Sequence, residues 1–569
     1  IGPTQLVCSA SVSALVGEVA GLSVALSLES PRLSSLRVSL TAPDGASVLL
    51  VDGGRPGTTV FREVVGRTAE SAEPLSLLHG RPAAGTWTLT VEGGGGGDRV
   101  TSWALHVEPQ APRRVEPGGS PLRIVPTVAH APGLHGSFFT SDVVLFNPDA
   151  AAPAEVELSY LPAGSPAGGA AQVSVTVPPL ATRVLSDVVG NAFRTGGWGP
   201  VHVNAPPGVV VASRTETTSA GGGTYGLLVP EVQPDGALAS GSGPAWLVTA
   251  SRVGASRVNV GLVETSGSPA GAEVVLRDGG GAVRGRLVVD LARLESRQVN
   301  DLHRTLGVPA QPDDLVELRV VSGAGRIVAW ATAVDNGSND GVLVTATGLR
   351  RDAYLPAVAR APGRFGAFFR TDLKISNPRP APTNVRVSFY PSTGTAPVQL
   401  VLGLGAWETR LFEDVLDSLL AVPGDAAGAL RLTVLGDSPG IVVSSRTYAE
   451  EPGKSYGLAI GVLENSEAVP GDRIALSFLS SSEASRTNAG FLETFGIPTT
   501  LRVTLLGVDG ERLAERELVL GRSQALQWND VFAEMGAAPR PEASAVVEVI
   551  DGGAVIAPVI RIDHRTNDA

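Results

Sequence analysis

The pattern nearest to a hydrolytic site is Gly436-Asp-Ser-Pro-Gly440, which satisfies Gly-x-Ser-x-Gly. A nucleophile elbow needs a strand before the serine and a helix after it, so that the hydroxyl stands strained and exposed. Here strand-like runs flank the motif on both sides, and the spacing predicts a hairpin turn. Gly221-Gly-Gly-Thr-Tyr-Gly226 likewise joins two strands, so it offers a phosphate no helix N-terminal amides. The seven histidines show no metal-ligand spacing, and only His130 and His135 lie close, in a Gly/Pro loop. One cysteine, Cys8, excludes an internal disulfide. No catalytic or cofactor-binding residue is expected, and the chain reads as non-enzymatic.

Oxygen-rich turns are the remaining chemistry. Asp335-Asn-Gly-Ser-Asn-Asp340 aligns with Asp563-His-Arg-Thr-Asn-Asp568. Hard cations take such oxygen donors, so Asp335, Asn339, Asp340, Asp563, Asn567 and Asp568 are the calcium candidates. Asp, Asn and Gly are also what tight turns demand, and the spacing is not that of a recognised calcium loop. A second set of acids, Asp187, Asp301, Asp414 and Asp530, each opens a short apolar helical stretch. Capping of free helix N–H groups is the expected role, worth about 0.5–2 kcal/mol. A paired-carboxylate site would require a partner acid at fixed spacing, and none is recognised.

These turns and caps sit on strands. Ala154-Glu-Val-Glu-Leu-Ser-Tyr160 and Thr500-Leu-Arg-Val-Thr-Leu505 alternate apolar and polar residues, as half-buried antiparallel strands do. Turn residues recur at short spacing, which predicts β-sandwiches. An internal repeat organises them. Gly136-Ser-Phe-Phe-Thr-Ser-Asp142 matches Gly366-Ala-Phe-Phe-Arg-Thr-Asp372, and Val211-Ala-Ser-Arg-Thr215 matches Val443-Ser-Ser-Arg-Thr447. Weaker copies start at Ser256-Arg-Val-Asn259 and Ser485-Arg-Thr-Asn488. Four modules therefore run in A-B-A-B order over 121–233, 241–349, 352–465 and 471–569, after a different domain at 1–110.

Composition bounds the rest. The chain has 569 residues, 43% hydrophobic and 18% charged, with net charge −12. It carries no basic stripe, so nucleic acid and anionic membrane are poor partners. No apolar run is long enough to span a bilayer as a helix. Only two lysines occur, Lys374 and Lys454. An opening at Ile1 without a leader-like segment reads as a processed, exported chain, secreted or held at the cell surface. Short, Pro-stiffened linkers predict an elongated rod. The last module stops after its acidic turn with its closing strand missing, while the segment bearing Thr4, Leu6, Cys8 and Val12 is extended in character. The expectation is that this segment completes the last module of a neighbouring subunit, giving a head-to-tail filament.

The first domain contains Leu40-Thr-Ala-Pro-Asp-Gly45, Gly85-Thr-Trp-Thr-Leu89 and Ser102-Trp-Ala-Leu105 in succession. It resembles the P domain that follows the catalytic domain of proprotein convertases and bacterial secreted subtilisin-like proteases. The resemblance implies a jelly-roll-like sandwich and a secreted context. Where that family usually carries Gly-Asp-Leu, this chain reads Ser34-Ser-Leu36. The four later modules are similar to Ig-like repeats of exported bacterial proteins. Three functions follow as expectations: a structural or adhesive surface component that self-associates, the non-catalytic region of a secreted subtilisin-like protease precursor, or an array binding glycan or protein.

Overall fold

The computed structural model describes residues 4–12, 19–53, 59–66, 69–79, 81, 85–94, 98–109, 122–164, 171–219, 222–250, 253–363, 366–460, 463 and 467–568. Residues 110–121, after the first domain, and 464–466, near the junction of the third and fourth modules, lie outside it, as do 220–221 of the glycine-rich stretch. The molecule is built from β-sandwiches.

In the first domain one antiparallel sheet orders Thr4–Val12, Gly85–Gly94, Arg37–Thr41 and Ser47–Asp52. The facing sheet orders Val60–Val65, Val19–Glu29 and Arg99–Pro109. Trp87, Leu26, Leu40 and Leu89 fill the space between them. The donor-strand expectation is overturned here. Thr4, Leu6, Cys8 and Val12 register with Gly94, Val91, Leu89 and Gly85 of their own domain. Leu6, Cys8 and Val12 also pack on its core. A strand already paired along one edge, with Leu6, Cys8 and Val12 on its own core, is not free to complete another module.

The four modules share one strand order. In the second, one sheet orders Val283–Leu291, Ala270–Arg277, Leu315–Gly323 and Ala245–Leu247. The other orders Ser296–Val299, Ser256–Glu264, Ile327–Asp335 and Gly341–Thr345. In the first module the long strand Leu122–Pro132 turns from one sheet into the other at His130–Pro132, fusing them. The alternation read from the sequence is the alternation of burial: Ala154, Val156, Leu158 and Tyr160 point inward, Glu155 and Glu157 outward. In the fourth module Val559–Asp563 pairs with Ser485–Glu493, and among the described residues no strand flanks its other side.

The modules do not string out into the expected rod. Val263, Val328, Trp330 and Leu343 of the second module join the core of the first. The second meets the third where Thr409 N–H donates to Gly279 O at 2.9 Å and buried Lys374 Nζ donates to Thr249 O and Asp314 O. The third meets the fourth through Tyr354, Ala429, Leu492 and Ile556. The fourth returns to the first, where Thr182 N–H donates to Val508 O at 2.9 Å and Thr182 Oγ1 contacts Ser544 Oγ at 2.7 Å. The four sandwiches form a closed ring with an approximate internal two-fold. Short linkers limit how far neighbours separate, and apolar faces such as that of Trp330 decide that they fold back. Small-angle scattering of the full chain is accordingly expected to show one compact body of four modules. A distance distribution of five beads in line is the contrary result.

Candidate functional site

The acidic turns are where the ring is clasped. In the second module Asp335 Oδ1 accepts from Gly337 N–H and Ser338 N–H, each at 2.9 Å, which shapes the turn. Its Oδ2 reaches the third module, accepting from Ser455 N–H at 3.2 Å and Ser455 Oγ at 2.8 Å. Ser338 Oγ donates back to Ser455 O at 2.6 Å. Asp340 Oδ2 accepts from Gly457 N–H at 2.9 Å and lies 3.5 Å from Arg446 Nη2. The turn of the fourth module repeats this against the first. Asp563 Oδ1 holds Arg565 and Thr566 N–H, and Oδ2 accepts from Thr224 N–H at 3.1 Å. Thr566 Oγ1 donates to Thr224 O at 2.7 Å. Asp568 Oδ2 accepts from Gly226 N–H at 2.8 Å and Arg214 Nη2 at 3.3 Å.

Small residues let the backbones meet. Gly223 has φ +79°, and a Cβ there would lie 2.7 Å from Asp563 Oδ1. Asn339 and Asn567 occupy the same left-handed position in the two turns, with φ 60° and 55°, a conformation Asn tolerates. The six calcium candidates therefore sit in two copies of one inter-module clasp. Among the described residues no group of three or more His, Cys, Asp and Glu has metal-holding geometry.

The clasps meet at the ring centre. Both Asp340 and Asp568 are fully buried. Burial, and then the Asp568 charge, push Asp340 well above the ordinary carboxylate range, against the pull of Arg446 and Arg214. Tyr225 and Tyr456 approach to 6.1 Å between ring centroids, and Lys454 Nζ donates to Tyr225 Oη at 3.1 Å. Both lysines of the chain are thus seam residues. Burial lowers Lys374 to about 8, because its ammonium is cut off from water, against the pull of Asp314 and Asp313. It follows that stability should rise between about pH 8 and 10, as the unfolded-state lysine stays charged while the folded one is free to lose its proton. Lys374→Met should flatten that rise in denaturant titrations.

Three of the four landmark acids cap as expected. Asp187 accepts from Gly190 N–H, Asp301 from Arg304 N–H, and Asp530 from Phe532 and Ala533 N–H. Asp414 departs: its side chain makes no cap bond and instead accepts from Arg360 Nε at 3.0 Å. A recurring partner also exists, contrary to expectation. Asp142 Oδ1 accepts from Asp187 N–H at 2.8 Å, and Asp372 Oδ1 accepts from Asp414 N–H at 2.9 Å. Asn259 does the same for Asp301 in the second module. The bond goes to the backbone, so this is a turn support rather than an acid–base pair.

Two histidine–carboxylate pairs escaped the sequence, their members being 57 and 11 residues apart. His130 Nδ1 lies 2.8 Å from Asp187 Oδ2, and His303 Nε2 lies 2.8 Å from Asp314 Oδ2. A triad needs a nucleophile on the imidazole's other nitrogen, and none is bonded there among the described residues. Ser438 lies in the turn between strands Ala426–Leu435 and Val442–Glu451, as its spacing predicts.

The site is thus an assembly joint between modules, and the fold is a succession of β-sandwiches. Residues 19–107 match the sequence model of the proprotein convertase P-domain. Its defining pieces lie one in each sheet, Trp87 on the internal strand Gly85–Gly94 and Trp103 on the edge strand Arg99–Pro109. No curated protein matches the chain. No helix among the described residues is long and apolar enough to cross a membrane.

Proposed function

We propose that this chain is the non-catalytic part of an exported subtilisin-type protease system. In this reading the first domain packs on a subtilisin-like catalytic domain, and the ring of four sandwiches is a rigid body attached to it. The match of residues 19–107 to the P-domain carries the reading. The all-β build and the placement of Ser438 in a hairpin support a non-enzymatic role. Secretion follows from the same family context. A filament no longer has a physical basis in the donor strand, because that strand is paired at home.

The test is to mix the full chain with the secreted subtilisin-like protease of the same source. Co-elution and a raised unfolding temperature of the protease are expected, and a protease that ignores the chain refutes the partnership. The purified chain should itself show no turnover of peptide, ester or glycoside substrates. Turnover lost on Ser438→Ala is the contrary outcome.

A further inference from the structure

The outer faces of the first and second modules splay apart beside their apolar seam and leave an open cleft of about 810 Å³. Its two walls differ in chemistry. The first module contributes Phe139 and Trp198, both half-buried, with Leu134 at the rim. No partner engages the Trp198 indole N–H among the described residues, and a half-buried indole N–H seeks one. The second module contributes planar polar groups: Asn259, Gln298, Asn300 and the guanidiniums of Arg257 and Arg304. Gln298 Nε2 donates to Asn300 Oδ1 at 2.6 Å, which leaves the Asn300 amide N–H groups and the Gln298 carbonyl turned to other partners. Arg304 is exposed and makes no ion pair among the described residues. Asp301 is the one carboxylate on the lining. Arg257 is held by Asn336 Oδ1 at 2.7 Å and Asn339 Oδ1 at 3.4 Å, which leaves Arg304 as the guanidinium turned to the cleft in a chain of net charge −12.

We infer that this cleft binds an oligosaccharide carrying carboxylates, a uronic-acid chain. The aromatic wall suits the apolar C–H face of a pyranose ring, and the opposite wall supplies the Gln298 and Asn300 amides for hydroxyls and the forked Arg304 guanidinium for a carboxylate. The volume lies in the range of small-ligand sites. The sister seam shows that the cleft is not a by-product of the repeat. There Asn488, Gln527 and Asn529 repeat the amides, but Ala427 stands at the place of Trp198 and Ala533 at that of Arg304. Trp198 and the Arg304 cation are therefore specific to the first seam, whereas Phe139 recurs as Phe369. This site is independent of what the first domain packs against.

Calorimetric titration of the full chain with tetragalacturonate tests it, with maltotetraose as the neutral counterpart. Tetragalacturonate should bind with an affinity that falls as salt is raised, and maltotetraose at least tenfold more weakly, since each charge-assisted contact is worth roughly tenfold. Arg304→Ala, at an exposed position, should weaken the acidic sugar about tenfold without changing the unfolding temperature. Trp198→Ala should remove binding. No binding of tetragalacturonate, equal binding of the two sugars, or an Arg304→Ala variant that binds as well as the parent overturns the inference.

Discussion

Arg214→Ala is expected to open the ring, whereas Arg446→Ala, which removes the same guanidinium from the twin clasp, is expected to lower stability without opening it. The two side chains are equivalent in place and nearly equal in burial, 10% and 4% exposed. Each faces a carboxylate with no exposure, Asp568 and Asp340. Removing one member of such a pair strands the other charge in a poorly solvated site, at a cost of about 3–5 kcal/mol. The raised proton affinity of Asp340 softens this on its side, because the stranded acid can neutralise itself.

Chain connectivity makes the outcomes diverge. The second and third modules are joined by the short stretch 346–351, so after Arg446→Ala they stay at high effective concentration and the clasp re-forms. The first and fourth modules have no such tether and are held by the clasp and the Thr182 contacts. Denaturant titration should report a loss for both variants, the smaller for Arg446→Ala. Small-angle scattering should report a larger radius of gyration for Arg214→Ala alone. Unchanged scattering for Arg214→Ala, or equal expansion of both, contradicts a ring closed by its weaker-tethered clasp.

Much of this joint was written in the sequence without its meaning. Arg214 and Arg446 both lie in the Ser-Arg-Thr copies that mark the repeat, and the two acidic turns align residue for residue. What a single chain does not reveal is that Arg214 meets an acid 354 residues away. Period-two alternation reports which face of a strand is buried, but a module has two outer faces, and the burial of Trp330 against another module leaves no mark distinct from core packing. The rod expectation failed for that reason: linker stiffness says how far neighbours separate, not which faces attract. The caps were legible because their chemistry is local. The supporting column of Asp142, Asn259 and Asp372 was equally visible in the quoted repeat, but its bond goes to a backbone N–H, which side-chain pairing rules do not seek.

That column supplies its own experiment in pH dependence. Burial raises Asp372 to about 6, even though Asp414 N–H and the Tyr448 hydroxyl both donate to its Oδ1. Asn259, at the equivalent position, makes the same bond to the backbone without a charge. A carboxyl that holds its proton more tightly when folded lends stability that appears as pH falls through 6 and is complete near 4, and its ionised form is a liability at pH 7. Two units correspond to about 3 kcal/mol. Asp372→Asn keeps the oxygen and deletes the charge, so it should stabilise the protein at pH 7 by up to about 3 kcal/mol, the advantage vanishing by pH 4. His202 works in the opposite direction. Burial lowers it to about 4, so the unfolded chain takes up a proton near pH 6.5 that the folded chain refuses, and stability drains away across that window. His202→Gln should therefore gain on the parent as pH falls from 6.5 to 4. Denaturant titrations of parent and both variants at pH 7, 5.5 and 4 separate the two effects. An Asp372→Asn variant no more stable than the parent at pH 7, or with a gain that persists at pH 4, is incompatible with a buried, ionised Asp372.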